Sequence, residues 1–340
     1  MRITYLFGNG LDLSFGLNTS YYDFYKFLKE KAEKDEKLKN NFIYNQLIKD
    51  IENHKEDLWM NYESRLGTLT SQVSIEDIPK FNVDKIELDL YLKNHLINEE
   101  KKLFLDNNKI PKILEKSFIQ ITKCFKEEKD SKKIKTLLEK NGSSNLYIDA
   151  ISFNYTKTVS LLWINNSNWN NNFKINNCPF SGYYCYLGDA FYVHGTLNDG
   201  RMIIGVDNNS QISNDKICDN QQIHQALLKS ELLNMSGQLH LEKFKDMIYN
   251  SEIICLYGLS IGCTDSYYWK IIKLKLLNSN SLLIIYRYKA NFDYRHIFYT
   301  NNLIEETKKI FFENSDASED EIKKINERII VEINRKLFCL

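Results

Sequence analysis

The stretch RITYLFGNGLDL, residues 2–13, decides the fold of this chain, because a short apolar run ends there in a Gly-x-Gly turn. An apolar run of this length that stops at glycine is typical of a buried strand in a parallel sheet. Glycine permits a tight turn and a close approach of the backbone to a ligand. The helical pattern that follows would offer free N–H groups to a phosphate. We therefore predict a nucleotide-binding strand–turn–helix at this point.

The turn departs from the fingerprint of hydride-transferring dehydrogenases. That fingerprint requires a third glycine, and Leu13 occupies its place. It also requires a second strand ending in Asp or Glu about 20 residues further on. Residues 22–30 keep helical spacing instead. A dehydrogenase of the Rossmann type is therefore disfavoured.

The composition bounds the class of protein. The chain has 340 residues, of which 43% are hydrophobic, with 45 basic and 45 acidic side chains. Because this balance creates no long-range field, we expect neither nucleic acid nor a membrane surface as a partner. No run approaches the roughly 20 apolar residues of a membrane helix. Seven cysteines without a Cys-x-x-Cys pair suit reduced thiols, so we predict a cytoplasmic protein.

Strand and helix patterns alternate along the chain. Strands are predicted at 3–7, 147–153, 190–193, 253–257 and 282–286, with further short strands at 183–187 and 201–207. Helices are predicted at about 219–235 and 239–249, near Asp265 and after the capping box that starts at Ser318. Residues 30–145 are almost wholly helical in pattern. We predict one α/β domain over 1–340, with a Rossmann-like, mainly parallel sheet, helices on both faces and a helical insertion at 30–145.

Polar residues follow four of the predicted strands, where ligands bind in open α/β sheets. These residues are Gly10 with Asp12, Asn154, His194, and Gly258 with Asp265. Each has a structural alternative: His194 as a turn residue, Asn154 as a turn residue or cap, and Asp265 as an N-cap. Glu63, on the same helix face as Trp59, is as readily a rim residue paired with Arg65 or a lysine as a site residue. No spacing of His, Cys, Asp or Glu resembles a metal site.

Four motifs of the chain resemble those of a known family. The motif Gly8-Asn9-Gly10-Leu11-Asp12-Leu13-x-x-Gly16-Leu17-x-Thr19 is similar to the opening of the bacteriophage abortive-infection AbiH family. So are Ser152-Phe153-Asn154-Tyr155-Thr156, His194-Gly195, and the late strand with Gly258-x-Ser260 and Asp265. Residues 30–145 match only loosely, through Trp59 and Glu63. This resemblance implies an anti-phage defence protein.

The order of these motifs is more distantly similar to sirtuin-like NAD-consuming defence domains. That similarity implies Gly8 and Gly10 against a pyrophosphate, Asn154 at the nicotinamide ribose or the water, and His194 as the base. We also predict NAD contacts from further residues of the same motifs, namely Asn9, Asp12, Thr19, Tyr155, Gly258, Ser260 and Asp265, although sirtuin-like turns more often carry a small residue at the position of Asp12. NAD is then a substrate, and no prosthetic group is expected.

We therefore expect an NAD glycohydrolase that cleaves the nicotinamide–ribose bond. Two other hypotheses stay open. One is a module that binds NAD or ADP-ribose as a signal without turnover. The other is a nuclease or nucleotide hydrolase in which Asp12, Asp207 and Asp265 gather a magnesium ion. A phage-derived trigger and a homo-oligomer are left open as partners.

Overall fold

A computed structural model describes residues 1–53, 62–123, 128–140, 145–164, 173–174, 184–198, 202–236, 240–292 and 297–339. Its centre is one sheet with the strand order β3-β4-β2-β1-β5-β6-β7. The strands are β1 (Arg2–Phe7), β2 (Asn145–Ser152), β3 (Phe173–Lys174), β4 (Tyr184–Tyr192), β5 (Ile253–Tyr257), β6 (Leu282–Arg287) and β7 (Ile329–Ile333). All pair in parallel except the two-residue β3, which runs antiparallel to β4.

The helices follow the apolar spacing of the sequence. Before β2 they are α1 (Gly10–Ser14), α2 (Tyr21–Ala32), α3 (Glu36–Lys39), α4 (Phe42–Glu52), α5 (Tyr62–Leu69), α6 (Ile78–Glu100), α7 (Ile110–Lys123) and α8 (Glu128–Lys140). After β2 they are α9 (Thr158–Ile164), α10 (Gln221–Leu227), α11 (Lys229–Ser236), α12 (His240–Tyr249), α13 (Ser266–Leu277), α14 (Ile297–Asn314) and α15 (Glu319–Ile325). The capping box at Ser318 is present, as predicted.

Helices cover both faces of the sheet. Successive side chains of a strand point to opposite faces, so Tyr5 packs with α7 and α9 while Leu6 packs with α12, α13 and α14. Both side chains are fully buried, which is why β1 reads as a continuous apolar run. The prediction of a Rossmann-like parallel sheet between two helical layers is confirmed.

The helical residues between β1 and β2 serve two packing units. Helices α2 to α6 build a core of their own together with Leu197 and residues 202–228. Helices α7 and α8 belong instead to one face of the sheet. The description of residues 30–145 as an insertion, and of residues 1–340 as one domain, stays a prediction.

Three details differ from the predicted strands. Residues 202–207 form no strand of the sheet, and only Val206 makes an isolated bridge, to Leu228. Their apolar side chains pack into the core of α2 to α6 instead, which explains an apolar run outside the sheet. The two short runs at 183–187 and 190–193 join into the single strand β4. Strand β7 was not predicted, because an apolar run this short cannot be assigned to a strand or to the preceding helix from the periodicity of its side chains alone.

In the part of the chain that the structure describes, no helix is both long enough and apolar enough to cross a bilayer.

Candidate active site

A cleft of about 670 Å³ opens at the carboxyl ends of the parallel strands. Its walls are the turns after β1, β2, β4 and β5, the end of β6, and Leu92 and Leu96 of helix α6. Every predicted site residue except Gly10 lines it, namely Gly8, Asn9, Asp12, Thr19, Asn154, Tyr155, His194, Gly258, Ser260 and Asp265. A cavity of this size is typical of small-molecule sites.

The glycines after β1 allow two turns to touch. The N–H of Gly10 donates to the carbonyl of Gly258 at 2.8 Å, and the N–H of Gly8 donates to the carbonyl of Tyr257 at 3.1 Å. A Cβ on Gly10 would lie 2.5 Å from the Cα of Gly258, which itself has a φ of +61°. The requirement for glycine therefore comes from the close packing of the β1 and β5 turns. A role of this turn in phosphate binding stays a prediction, and Gly10 is not among the residues that line the cleft.

Asn154 ties the end of β2 to the same turn. Its Nδ2 donates to the carbonyl oxygen of Gly8 at 3.0 Å. Next to it, Oδ1 of Asn9 accepts a hydrogen bond from Thr19 Oγ1 at 2.5 Å. Asn154 is 8% exposed and lines the cleft, so its amide is held in one orientation before a ligand binds.

Asp12 is a fully buried carboxyl group beneath this turn. Its Oδ2 accepts a hydrogen bond from Thr156 Oγ1 at 2.7 Å, whereas its Oδ1 has no partner in the described ranges. Burial raises the pKa of Asp12 to about 6, although neighbouring hydroxyl groups oppose the rise. Asp12 therefore holds a proton more readily than an ordinary aspartate.

His194 and Asp265 form a buried pair across the cleft. His194 follows β4, and its Nε2 lies 3.1 Å from Oδ1 of Asp265. Because a carboxylate only accepts, Nε2 carries the proton in this contact. The ring is also packed edge-on against Phe153 and Tyr268. Within the described residues Nδ1 is shielded from solvent and has no hydrogen-bond partner, so it is the ring nitrogen that remains to take up a proton.

Lys229 extends this pair into a chain of four charged or titratable groups. Its Nζ lies 2.7 Å from Oδ1 of Asp265 and 2.8 Å from Oε2 of Glu63. Burial lowers the pKa of Lys229, but the two carboxylates outweigh burial and raise it above its ordinary value. Burial likewise raises the pKa of Asp265, but the charges of Lys229 and His194 hold it below its ordinary value. We call these residues, His194, Asp265, Lys229 and Glu63, the charge chain.

The contacts of the charge chain bear on the structural alternatives that were predicted for Asp265 and Glu63. Asp265 precedes α13, but within the described residues its carboxylate makes no capping bond. Glu63 pairs with a lysine, but it is buried and lines the cleft, so it is not the rim residue of that alternative. Arg65 pairs with Asp50 at 2.6 Å instead. Trp59, predicted on the same helix face, lies outside the described residues. Lys229 was missed, since a lysine that opens a helix has no sequence signature.

The charge chain has the electrostatics of a proton acceptor. With a neutral imidazole its ionised groups carry one net negative charge, and a proton on His194 would cancel that charge. A carboxylate that holds one imidazole nitrogen fixes the orientation of the ring and stabilises its protonated form. The arrangement is therefore suited to general base chemistry at Nδ1.

The three aspartates of the metal hypothesis have other partners. Asp12 binds Thr156, Asp265 belongs to the charge chain, and Oδ2 of Asp207 accepts a hydrogen bond from Ser266 Oγ at 2.5 Å. Across the described ranges, no group of three His, Cys, Asp or Glu side chains could hold a metal ion. The described residues therefore do not gather these three aspartates into one metal-binding group, and the metal-dependent hypothesis stays a prediction.

Fold and cleft together define an α/β protein with a polar ligand site at the ends of its parallel strands. The family model for bacteriophage abortive infection AbiH matches residues 4–288, which run from β1 to β6. The chain belongs to the AbiH family, and that family indicates a role in abortive-infection defence against phage. No curated protein matches the chain. The similarity to sirtuin-like domains is not part of this match and stays a prediction.

Proposed function

We propose that this AbiH protein hydrolyses NAD at the nicotinamide–ribose bond. In this reaction the oxygen of a water molecule bonds to C1′ of the ribose while the C1′–N bond breaks. The electron pair of that bond moves to the ring nitrogen, so nicotinamide leaves as a neutral molecule and needs no general acid. The water loses one proton to a base, and ADP-ribose is the second product.

The observation that carries this proposal is the contact of His194 with Asp265 inside the cleft. An imidazole changes its charge near neutral pH and can accept the proton of water. A base in this position contributes about 10²–10⁴-fold to a rate. Nδ1 of His194 would receive the proton, and the charge chain would stabilise it there.

Asn154 would position the ribose or the water. Its side chain is already anchored to Gly8, so little freedom is lost when a ligand binds. Fixed orientation of the reactants lowers the barrier by reducing the entropy lost on the way to the transition state. Replacement of Asn154 by Ala should therefore reduce kcat more than it raises KM.

The test is NAD loss and nicotinamide release by wild type, His194→Ala and His224→Ala. His224 is a matched control, because its Nε2 contacts the carbonyl of Cys218 away from the cleft. We expect turnover by wild type and by His224→Ala, loss of turnover in His194→Ala, and no effect of EDTA. Unchanged turnover in His194→Ala would refute the assignment of the base.

One observation favours a second candidate, a module that binds NAD or ADP-ribose without turnover. His194 is only 3% exposed and its Nδ1 is shielded from solvent, so water does not reach this nitrogen in the described conformation. Tight binding of NAD with no nicotinamide release, in the presence and absence of phage lysate, would favour this signal-binding role over hydrolysis.

A further inference from the structure

Arg287 places a cation in the cleft, at a position that no motif of the sequence marks. It is the last residue of β6 and lines the same cavity as His194 and Asn154. Strand β6 lies next to β5, which lies next to β1. Arg287 therefore lies on the side of the cleft formed by the β1 and β5 turns, away from β4, the strand that His194 follows.

In the described part of the chain, Arg287 is the arginine whose guanidinium has neither an ion pair nor a hydrogen bond. Its side chain is half-buried, and Nε is shielded from solvent without a hydrogen-bond partner. By contrast, Arg2 binds Asp149 at 2.7 Å and Arg65 binds Asp50 at 2.6 Å. Arg335 pairs with Glu332, and Arg328 donates to backbone carbonyls. Unlike these four arginines, Arg287 therefore makes no contact within the described residues that uses its charge.

An unpaired cation that is partly removed from water weakens a protein unless something binds it. The carboxylates of the charge chain do not fill this role, because Asp265 and Glu63 both contact Lys229. The donors of a guanidinium form a planar fork that matches two oxygens of a phosphate. The guanidinium of Arg287 is therefore suited to bind an anion with tetrahedral oxygens at this wall of the cleft.

We propose that Arg287 binds a phosphate of the nucleotide that occupies the cleft. The proposal rests on the proposed function, since it names the group that holds the same ligand. Neighbouring strands lie about 4.8 Å apart, so the ends of β2 and β6 are separated by roughly 14 Å. The ligand and the arginine side chain span this distance together. The ribose bond lies at Asn154 and His194, and the phosphate lies on the side of β5 and β6.

The test measures binding and does not require turnover. ADP-ribose binding is determined by calorimetry for wild type, Arg287→Met, Arg287→Lys and Lys289→Met, with inorganic pyrophosphate as a competitor. Lys289→Met is the control, because it removes an exposed positive charge two residues further along, outside the cleft. Urea unfolding midpoints establish that the variants are folded.

We expect Arg287→Met to bind ADP-ribose about tenfold to a hundredfold more weakly, as for a lost charge-assisted hydrogen bond. Arg287→Lys should fall between Arg287→Met and wild type, since it keeps the charge and loses the fork. Lys289→Met should bind as wild type does, and pyrophosphate should compete. Equal binding by Arg287→Met and Lys289→Met, or no binding of ADP-ribose by wild type, would overturn the proposal.

These outcomes separate the two proposals. If wild type cleaves NAD and Arg287→Met keeps its KM, hydrolysis stands and the phosphate contact is refuted. If ADP-ribose binding depends on Arg287 while wild type releases no nicotinamide in the presence or absence of phage lysate, the phosphate contact stands and hydrolysis is refuted.

Discussion

Replacement of Lys229 by Met should lower the free energy of unfolding by about 3–5 kcal/mol at pH 8. The variant leaves Asp265 and Glu63 buried without their shared cation, and the loss of one partner from a buried ion pair has this cost. Methionine is also unbranched and of similar length, so most of the packing of the lysine stem is kept. The measured loss therefore reports mainly on charge.

The geometry supports this magnitude. The ammonium lies 2.7 Å and 2.8 Å from its two carboxylate oxygens, and each contact is worth about 6 kcal/mol at an effective dielectric constant near 20. Two effects oppose this gross gain. Wild type loses several kcal/mol by removing Lys229 from water, and in the variant Asp265 can take up a proton. The net cost falls to the range given.

Urea unfolding at pH 8 and pH 5 tests the electrostatic origin. In wild type the pKa of Asp265 is held below its ordinary value, so its stabilising effect is present above the unfolded pKa and is lost only at lower pH. In the variant the native state favours the protonated carboxyl, so stability rises as pH falls. The cost of Lys229→Met should therefore shrink at pH 5.

The control is Lys39→Met, which removes the cation of an exposed pair with Glu36. That variant should cost less than about 1 kcal/mol at both pH values. A cost for Lys229→Met that is equally small, or that does not change between pH 8 and pH 5, would refute the electrostatic account of the charge chain.

Other parts of the structure give three further predictions. Asp12→Asn should stabilise the protein at pH 8 by up to about 3 kcal/mol. Because the pKa of Asp12 is raised to about 6 in the folded protein, the stability of wild type falls as pH rises from about 4 through 6. Urea unfolding between pH 4 and pH 8 should show a flatter pH profile for the variant than for wild type. Gly10→Ala should cost about 1–3 kcal/mol, because the new Cβ meets the backbone of Gly258, and an unchanged urea midpoint would contradict this. Ser318→Ala should cost about 1 kcal/mol through loss of the capping box, measured in the same way.

The sequence could predict the sheet because its central strands carry one clear signal. The apolar runs of β1, β5 and β6 are buried on both faces and end at glycine or polar residues. Strand β7 carries the same composition at Ile329–Ile333 but follows a helix directly, so the length of the run does not separate it from that helix. Residues 202–207 show the opposite error, a strand that was predicted but is not formed, because an apolar run can be buried by helices as well as by strands.

The cleft was predictable to the extent that its residues follow strands. Asn154 and His194 could be identified because parallel strands bring their carboxyl ends to one edge of the sheet. Lys229 and Arg287 could not, since a lysine at a helix start and an arginine at a strand end usually face water. Their roles depend on burial and on the identity of their neighbours, which only the packing of distant segments determines.

The central position of β1 affects how the protein is made. Arg2 of β1 contacts Asp149, 147 residues later, and Glu252, 250 residues later. At about 5–20 residues per second, roughly 12–50 s of synthesis separate β1 from its partner β5. During that interval one edge of an apolar strand is unpaired, which favours protection by chaperones. A nascent chain that ends before Asp265 also lacks the partner of His194, so this pair of the cleft cannot form until β5 and the turn after it have been synthesised.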